Sequence, residues 1–400
     1  MPYDPLTFKT ESRKLIDAVL DAVDPAKAVR AHLQRTAHTL QANGTDFYFS
    51  TFDQIVIVAV GKAAVPMAAA TCDVIGDKLA RLIIVTKQGH AGDACRTLAQ
   101  RYGDRTTVIE AAHPVPDENS LRAGEIVTEA LTGLGERTLV IACISGGASA
   151  LMISPHTGIR LETMQAINDA LLRCGADIRE MNAVRSRLDR LKGGGLARVA
   201  APAPVLALIL SDVVGDPLDV IASGLTNDRR AHNVLVANNK RACEAALAAA
   251  RGMGFQPRIV TTEMRGEASE RGREIARAIR AQPSGTCLIY GGETTVTIHG
   301  AGQGGRNQEL ALAAAIELGA AAAEPCTLIA LGTDGTDGPN DAAGALLMPD
   351  TLARAGALNL PAAEYLANND SYNFFNQLGD LIMTGPTGTN VADVVIAMHW

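Results

Sequence analysis

The feature that most constrains this chain is an alternation. Short, fully apolar runs such as IVIVAV (55–60), LVIACI (139–144) and VLALIL (205–210) recur between longer stretches rich in Ala, Leu, Glu and Arg. A run that is apolar along its whole length fits a strand covered on both faces. Helices between such strands make βαβ units, which lay the strands parallel. Strands are predicted at 55–60, 82–85, 106–109, 139–144 and 205–210, then at 258–261, 287–290, 294–298, 327–330, 381–383 and 394–398. Helices are predicted at 121–131, 161–172 and 240–250, among others. TTVTI at 294–298 alternates and reads as an antiparallel or edge strand. Mostly parallel sheets with helices on both faces follow.

The 400 residues exceed the ~250–300 at which a single core stops growing. Two α/β domains are therefore expected: a Rossmann-like doubly wound domain over 1–240 and a smaller α/β domain over 241–400. The boundary falls where the polar stretch TNDRRAHN leads into an Ala-rich helix ending RGMGF. Charge and composition limit the partners. A net charge of −7 with 4% aromatic residues disfavours nucleic acid and anionic membranes, which select basic faces or stacking platforms. No apolar stretch reaches the ~18 residues of a spanning helix, and the N-terminus reads as a capped amphipathic helix rather than a signal peptide. Seven cysteines, odd in number and without a CxxC pair, read as buried inert thiols of a reducing compartment. A soluble cytoplasmic protein with a small-molecule ligand, monomeric or homodimeric, is expected.

Glycines and polar residues collect just after the strands, where open α/β sheets bind ligands. Lys62, in VGKAA, can reach a phosphate as a point charge; its plain alternative is a lysine at a helix start. Ser145, Gly146, Gly147, Ala148 and Ser149 follow LVIACI, and glycine there lets backbone N–H groups close on an anion. Asn182, Arg185 and Lys192 read as one face of one helix, ended by the triple glycine 193–195. Asp212 and Asp216 follow VLALIL and could hold Mg²⁺ or accept a proton, with helix capping as the competitor. Glu293 precedes GAGQGGRNQE, whose glycines match G-x-G-x-x-G. The strand before them is polar and no acidic residue ends the next strand, so the segment reads as an anion loop ending in Arg306. Asp334 and Asp337 lie in GTDGTDGPND, a cation loop or an Asp/Gly turn, and TGPTGTN is one more hydroxyl-rich loop. His113, before Pro114, reads as structural. Walker A, HExxH and G-x-S-x-G patterns are absent from the sequence.

Glycine N–H groups, a few cations and several carboxylates are the mixture that phosphoryl transfer needs, because its loose transition state demands positioning and charge neutralisation. The segments VGKAA, HPVPDE, ISGGASAL, EMNAVRSRLDRLKGGGLA, SDVVGDPLDVIASG, GGETTVTIHGAGQGGRNQELALA, GTDGTDGPNDAAGA and TGPTGTNVAD together resemble the glycerate 2-kinase family with a MOFRL-type C-terminal domain. The resemblance covers nearly the whole chain. It implies two α/β domains with the active site in the interdomain cleft, ATP and Mg²⁺, and phosphorylation of D-glycerate to 2-phosphoglycerate. It matches the family's lysine after the first strand to Lys62 and its GGRNQE arginine to Arg306. Ala148 stands where the family often has serine, and Leu225 where it often has proline.

The expected roles follow. Lys62, Arg306 and Asp212 are catalytic. Ser145, Gly146, Gly147, Ala148, Ser149, Lys192, Gly193, Asp216 and Glu293 bind ATP. Asn182, Arg185, Arg306 and Asp337 bind substrate, and Asp212, Asp216 and Asp334 bind metal. The rival readings are an NAD(P)H-dependent hydroxypyruvate reductase using Gly300–Gly305 and a non-enzymatic anion sensor.

Overall fold

The computed structural model describes residues 5–176, 178–319 and 325–400. They form two compact units, one of Asp24–Ala237 and one of Asn238–Trp400 together with the N-terminal segment up to Val23. The first unit thus starts at Asp24 rather than at residue 1, and residues up to Val23 belong with the other unit. The helix Pro5–Ala22 packs on the helix Asn239–Gly252, and Phe8 meets Trp400 edge to face.

The unit Asp24–Ala237 opens with a small antiparallel sheet of β1 (Leu33–Arg35), β2 (Thr39–Ala42) and β3 (Thr45–Tyr48), which the sequence reading missed. The main sheet has six strands: β4 (Gln54–Val60), β5 (Leu79–Lys87), β6 (Thr106–Ala111), β7 (Thr138–Ile144), β8 (Val205–Leu210) and β9 (Ala231–Ala237). Their order is β6-β5-β4-β7-β8-β9, and every pairing is parallel. The chain winds outward from β4 to β6, returns, and winds outward again from β7. This is the doubly wound Rossmann arrangement, with its switch point between β4 and β7. β7 and β8 are buried at every position, as their uniformly apolar sequences require. β9 begins inside the polar stretch TNDRRAHN expected to mark the domain boundary. Its first three residues, Ala231, His232 and Asn233, are half-buried and its apolar residues follow them, as suits an edge strand.

The second unit holds β10 (Gln256–Met264), β11 (Thr286–Gly292), β12 (Cys326–Gly332), β13 (Gly344–Leu347), β14 (Leu381–Ile382) and β15 (Asp393–His399), in the order β10-β11-β15-β12-β13-β14. Here the expectation of a mostly parallel sheet fails. β10 pairs parallel with β11, but the other four pairings are antiparallel. The last strand, β15, inserts between β11 and β12 and runs against both. Burial on both faces makes a strand apolar in either direction, so its sequence carries no sign of orientation. The predicted strand 294–298 is also absent. Only a single bridge, Glu267 to Thr295, forms there, and Glu267 also accepts from the Thr297 amide and hydroxyl at 3.1 and 3.0 Å.

Six of the seven cysteines are buried, and Cys174 is exposed. No helix among the described residues is long and apolar enough to cross a membrane.

Candidate active site

At the switch point of the parallel sheet, the loops after β4 and β7 are sewn together. The Lys62 amide donates to the Gly146 carbonyl at 2.9 Å, and the Ser145 amide to the Val60 carbonyl at 3.0 Å. The Ser145 hydroxyl accepts from the Ala63 amide at 3.1 Å. Glycine is required at 61 on two counts: its φ is +124°, and a Cβ there would run into the Ser145 hydroxyl.

This bonding leaves a specific set of groups unused. The amides of Gly146 and Gly147 donate to no described residue, and the Lys62 ammonium has no ion pair among them. Asp212, at the end of β8, faces Gly146, where a Cβ would strike its Oδ2. Burial raises the Asp212 pKa, opposed by its own backbone hydrogen bond and by the charge of Lys62. On the other side, the His113 ring faces Gly147: a Cβ on Gly147 would lie 3.2 Å from Cδ2 and 3.4 Å from Nε2. The sequence reading left His113 as structural, and the sheet order brings it here from the end of β6. A backbone pair of N–H groups, a cation, a carboxylate and an imidazole thus meet at the place where a doubly wound sheet binds anions.

Several expected ligands make bonds within the fold. The helix carrying Asn182 and Arg185 spans Ile178–Leu188, so Lys192 is not on it. The triple glycine opens the next helix, Gly195–Ala200, with Gly194 at φ +81°, rather than closing the previous one. Lys192 is 2% exposed and lies 3.5 Å from the Asp189 carboxylate. The Gly193 amide donates to the Ser223 carbonyl. Asn182 is buried, accepting from the Ser223 hydroxyl at 2.9 Å and donating to the Val220 carbonyl at 3.3 Å. Ser223 in turn shares a 2.8 Å hydrogen bond with Ser149, so Asn182 supports the glycine loop from behind. Arg185 donates to Asn168 at 2.9 Å. Asp216 ends a tight turn on Val213 with φ +52°.

In the second unit, Arg306 opens the helix Arg306–Leu318 at the level where β11 and β12 end and β15 begins. Asp393, the first residue of β15, pairs in register with Gly292 and Gly332. Arg306 binds Asp393 at both oxygens, with Nε to Oδ2 at 2.6 Å and Nη2 to Oδ1 at 3.0 Å, and reaches Glu293 through Nη1 at 2.6 Å. Burial is the largest single cause and disfavours its charge, but Asp393, Glu293 and Asp337 together raise its pKa. The fork expected to grip a substrate anion is therefore closed on a carboxylate that the sequence reading did not single out. Its only sign was an acidic residue directly before the apolar run VVIAM. Asp337 is likewise committed. It accepts from the Asn307 and Gln308 amides at 3.0 and 2.8 Å, capping that helix, and burial pushes its pKa up to about 6. Asp334 accepts from the Thr336 amide and hydroxyl in a local turn.

In the GAGQGG segment the amides up to Gln303 are committed within the fold, whereas those of Gly304 and Gly305 donate to no described residue. Five consecutive amides, 299 to 303, are already used: those of His299 and Gly300 go to the Asn369 side chain, those of Ala301 and Gly302 to Asn368, and that of Gln303 to Asp370, at 2.8–3.1 Å. Its glycines serve close packing. A Cβ at Gly300 would strike the Asn368 carbonyl, and one at Gly302 the Asp370 side chain. In the TGPTGTN loop, the Thr387 and Thr389 hydroxyls donate to backbone carbonyls of Thr333 and Val23. Among the described residues no three His, Cys, Asp or Glu side chains gather as a metal site.

Residues 11–251 match the family described as a domain of unknown function, DUF4147, and residues 286–393 match the MOFRL family. The D-glycerate 2-kinase of Thermotoga maritima is 38% identical over 99% of both chains. A relative from Agrobacterium vitis with the provisional name hydroxypyruvate reductase is 37% identical over 98% of this chain and 95% of its own. The crystal structure of glycerate kinase from Thermotoga maritima superposes with a TM-score of 0.88 at 36% identity, covering 99% of this chain and 100% of that one.

Proposed function

This chain belongs to the glycerate 2-kinase family with a MOFRL-type C-terminal domain, and we propose that it phosphorylates D-glycerate to 2-phosphoglycerate with ATP. The observation that carries the proposal is the set of unused groups at the β4–β7 switch point: two glycine amides and the Lys62 ammonium, flanked by Asp212. Amides and an ammonium without protein partners suit a terminal phosphoryl group. In a loose transition state they neutralise charge on its oxygens without forming a covalent bond.

Within this reading, Gly146 and Gly147 bind phosphate oxygens and Lys62 neutralises the group in transfer. Asp212 is the carboxylate placed to hold Mg²⁺, which shields phosphate charge when bound. Mg²⁺ characteristically takes one or two carboxylates and completes its shell with phosphate oxygens and water, so a half-buried carboxylate beside the loop fits it. Arg306 meets an anionic substrate by exchanging Glu293, whose side chain is 43% exposed, while Asp393 keeps its grip. The reductase alternative is less favoured, because the amides of Gly300 and Gly302, two of the glycines proposed to bind a dinucleotide, are bonded within the fold.

The test is a coupled assay of ADP release with ATP, Mg²⁺ and D-glycerate. ADP formation that depends on D-glycerate is expected. Absence of turnover, or NAD(P)H oxidation with hydroxypyruvate instead, would overturn the reading.

A further inference from the structure

We propose that His113 is a substrate-contacting residue, whose imidazole hydrogen-bonds the acceptor hydroxyl while the glycine loop and Lys62 hold the phosphoryl group. The inference rests on the kinase reading and adds a residue to it.

The first argument is place. His113 lies two residues beyond β6, at the same sheet end as the loops after β4 and β7, and its Cδ2–Nε2 edge faces Gly147. The second is bonding. Other histidines of this chain show how a structural imidazole is tied down: His32 Nδ1 bonds the Ala28 carbonyl at 2.8 Å and His399 Nδ1 the Gln282 carbonyl at 2.6 Å. The His113 ring has no such bond to any described residue, although it is half-buried. The buried Nε2 of His232 shows that packing alone can leave a ring nitrogen without a partner, but the His113 edge in addition faces a loop whose own amides are uncommitted.

The third argument is charge. The groups that bear on His113 are Lys62, Lys87 and His90, all cationic or able to become so. With burial as the larger cause, they lower its pKa to about 4. Near neutral pH the ring is then uncharged, with one N–H donor and one lone pair. A neutral imidazole beside an ammonium is matched to an alcohol, and the ammonium to a phosphate. In the reaction, the alcohol oxygen forms the new O–P bond as the bond from the γ-phosphorus to the β,γ-bridging oxygen breaks, and ADP departs. The alcohol proton passes along the hydrogen bond to the imidazole lone pair and then to water.

The experiment compares wild type, His113→Ala and His113→Gln in steady-state kinetics with each substrate varied in turn. For His113→Ala, kcat/KM for D-glycerate should fall at least tenfold while KM for ATP stays within twofold. Gln, which can place an amide where Nε2 was, should restore part of the loss. Unchanged kinetics in His113→Ala, or a loss expressed equally in KM for ATP, would overturn the assignment and leave the kinase reading standing. A wild type inactive on D-glycerate would remove both. Should His113→Ala fail to fold, the wild type serves. Carbethoxylation of His113 by diethyl pyrocarbonate, followed by peptide mass spectrometry, should slow when D-glycerate is added with a non-hydrolysable ATP analogue. It should not slow with the analogue alone. Equal modification with and without D-glycerate would refute the contact.

Discussion

Arg306 grips Asp393 with two parallel hydrogen bonds, 2.6 and 3.0 Å long, and Asp393 is almost wholly buried at the start of the central strand β15. An arginine read from sequence as an anion receptor is thus first the counter-charge of a carboxylate inside the protein. Removing one partner of such a pair strands the other in a low-dielectric site, at a cost of about 3–5 kcal/mol. Arg306→Ala should lower the urea midpoint markedly as well as the rate. Arg306→Lys should also destabilise, because an ammonium cannot bridge both carboxylate oxygens. An unchanged urea midpoint in Arg306→Ala would refute the counter-charge role.

Lys62 should behave in the opposite way. Its ammonium has no ion pair among the described residues, so Lys62→Ala should leave thermal unfolding nearly unchanged. Its rate should fall at least tenfold, within the roughly 10²–10³ typical of losing one transition-state charge contact. Wild-type turnover in this variant would exclude Lys62 from the phosphoryl site.

The glycines of GAGQGG are required for packing, so adding a methyl group there should act on stability. Gly302→Ala would push a Cβ against Asp370 and the backbone of Asn368. Overpacking of this kind costs about 1–3 kcal/mol. The expected result is a lower melting temperature with KM for ATP unchanged in the folded protein. A selective rise in KM for ATP at wild-type stability would restore the anion-loop reading.

His113 predicts a pH dependence of stability. Its folded pKa of about 4 lies below the ordinary value of 6.5. Between these values the unfolded chain binds a proton that the native state does not. The contribution to stability is therefore complete above about pH 6.5 and is lost as pH falls toward 4. His113→Gln removes this linkage. Urea unfolding at pH 7 and pH 5 should show a smaller acid loss in the variant than in wild type. Equal losses would show that the ring titrates normally.

Asp337 works against that trend. Burial holds its pKa at about 6, above the usual 3.8, so over this range the native state keeps a proton that the unfolded chain has lost. Its contribution therefore falls as pH rises from about 4 to about 6. Asp337→Ala leaves the Asn307 and Gln308 amides uncapped and should destabilise by about 1–2 kcal/mol at neutral pH. A wild-type midpoint in this variant would show that the cap contributes nothing.

Much of the parallel sheet was readable from sequence alone, because its central strands are apolar on both faces and each is followed by glycine. β4, β7 and β8, the loops carrying Lys62, Ser145–Ser149 and Asp212, and the doubly wound class all follow from local pattern. The antiparallel seat of β15 did not, since a doubly buried strand reads the same in both directions.

Residue type and spacing along the chain were enough to say which loops are rich in glycine and charge. They could not say which of those groups remain unspent. Gly146 and Gly300 look alike as letters, yet the amide of one is free and that of the other is bonded to Asn369, about 70 positions later in the chain. The same holds for Lys62 against Lys192, and for His113 against the expectation of a structural ring. Whether a donor awaits a ligand or already has a protein partner depends on contacts between segments distant in sequence, and only the folded chain creates those contacts.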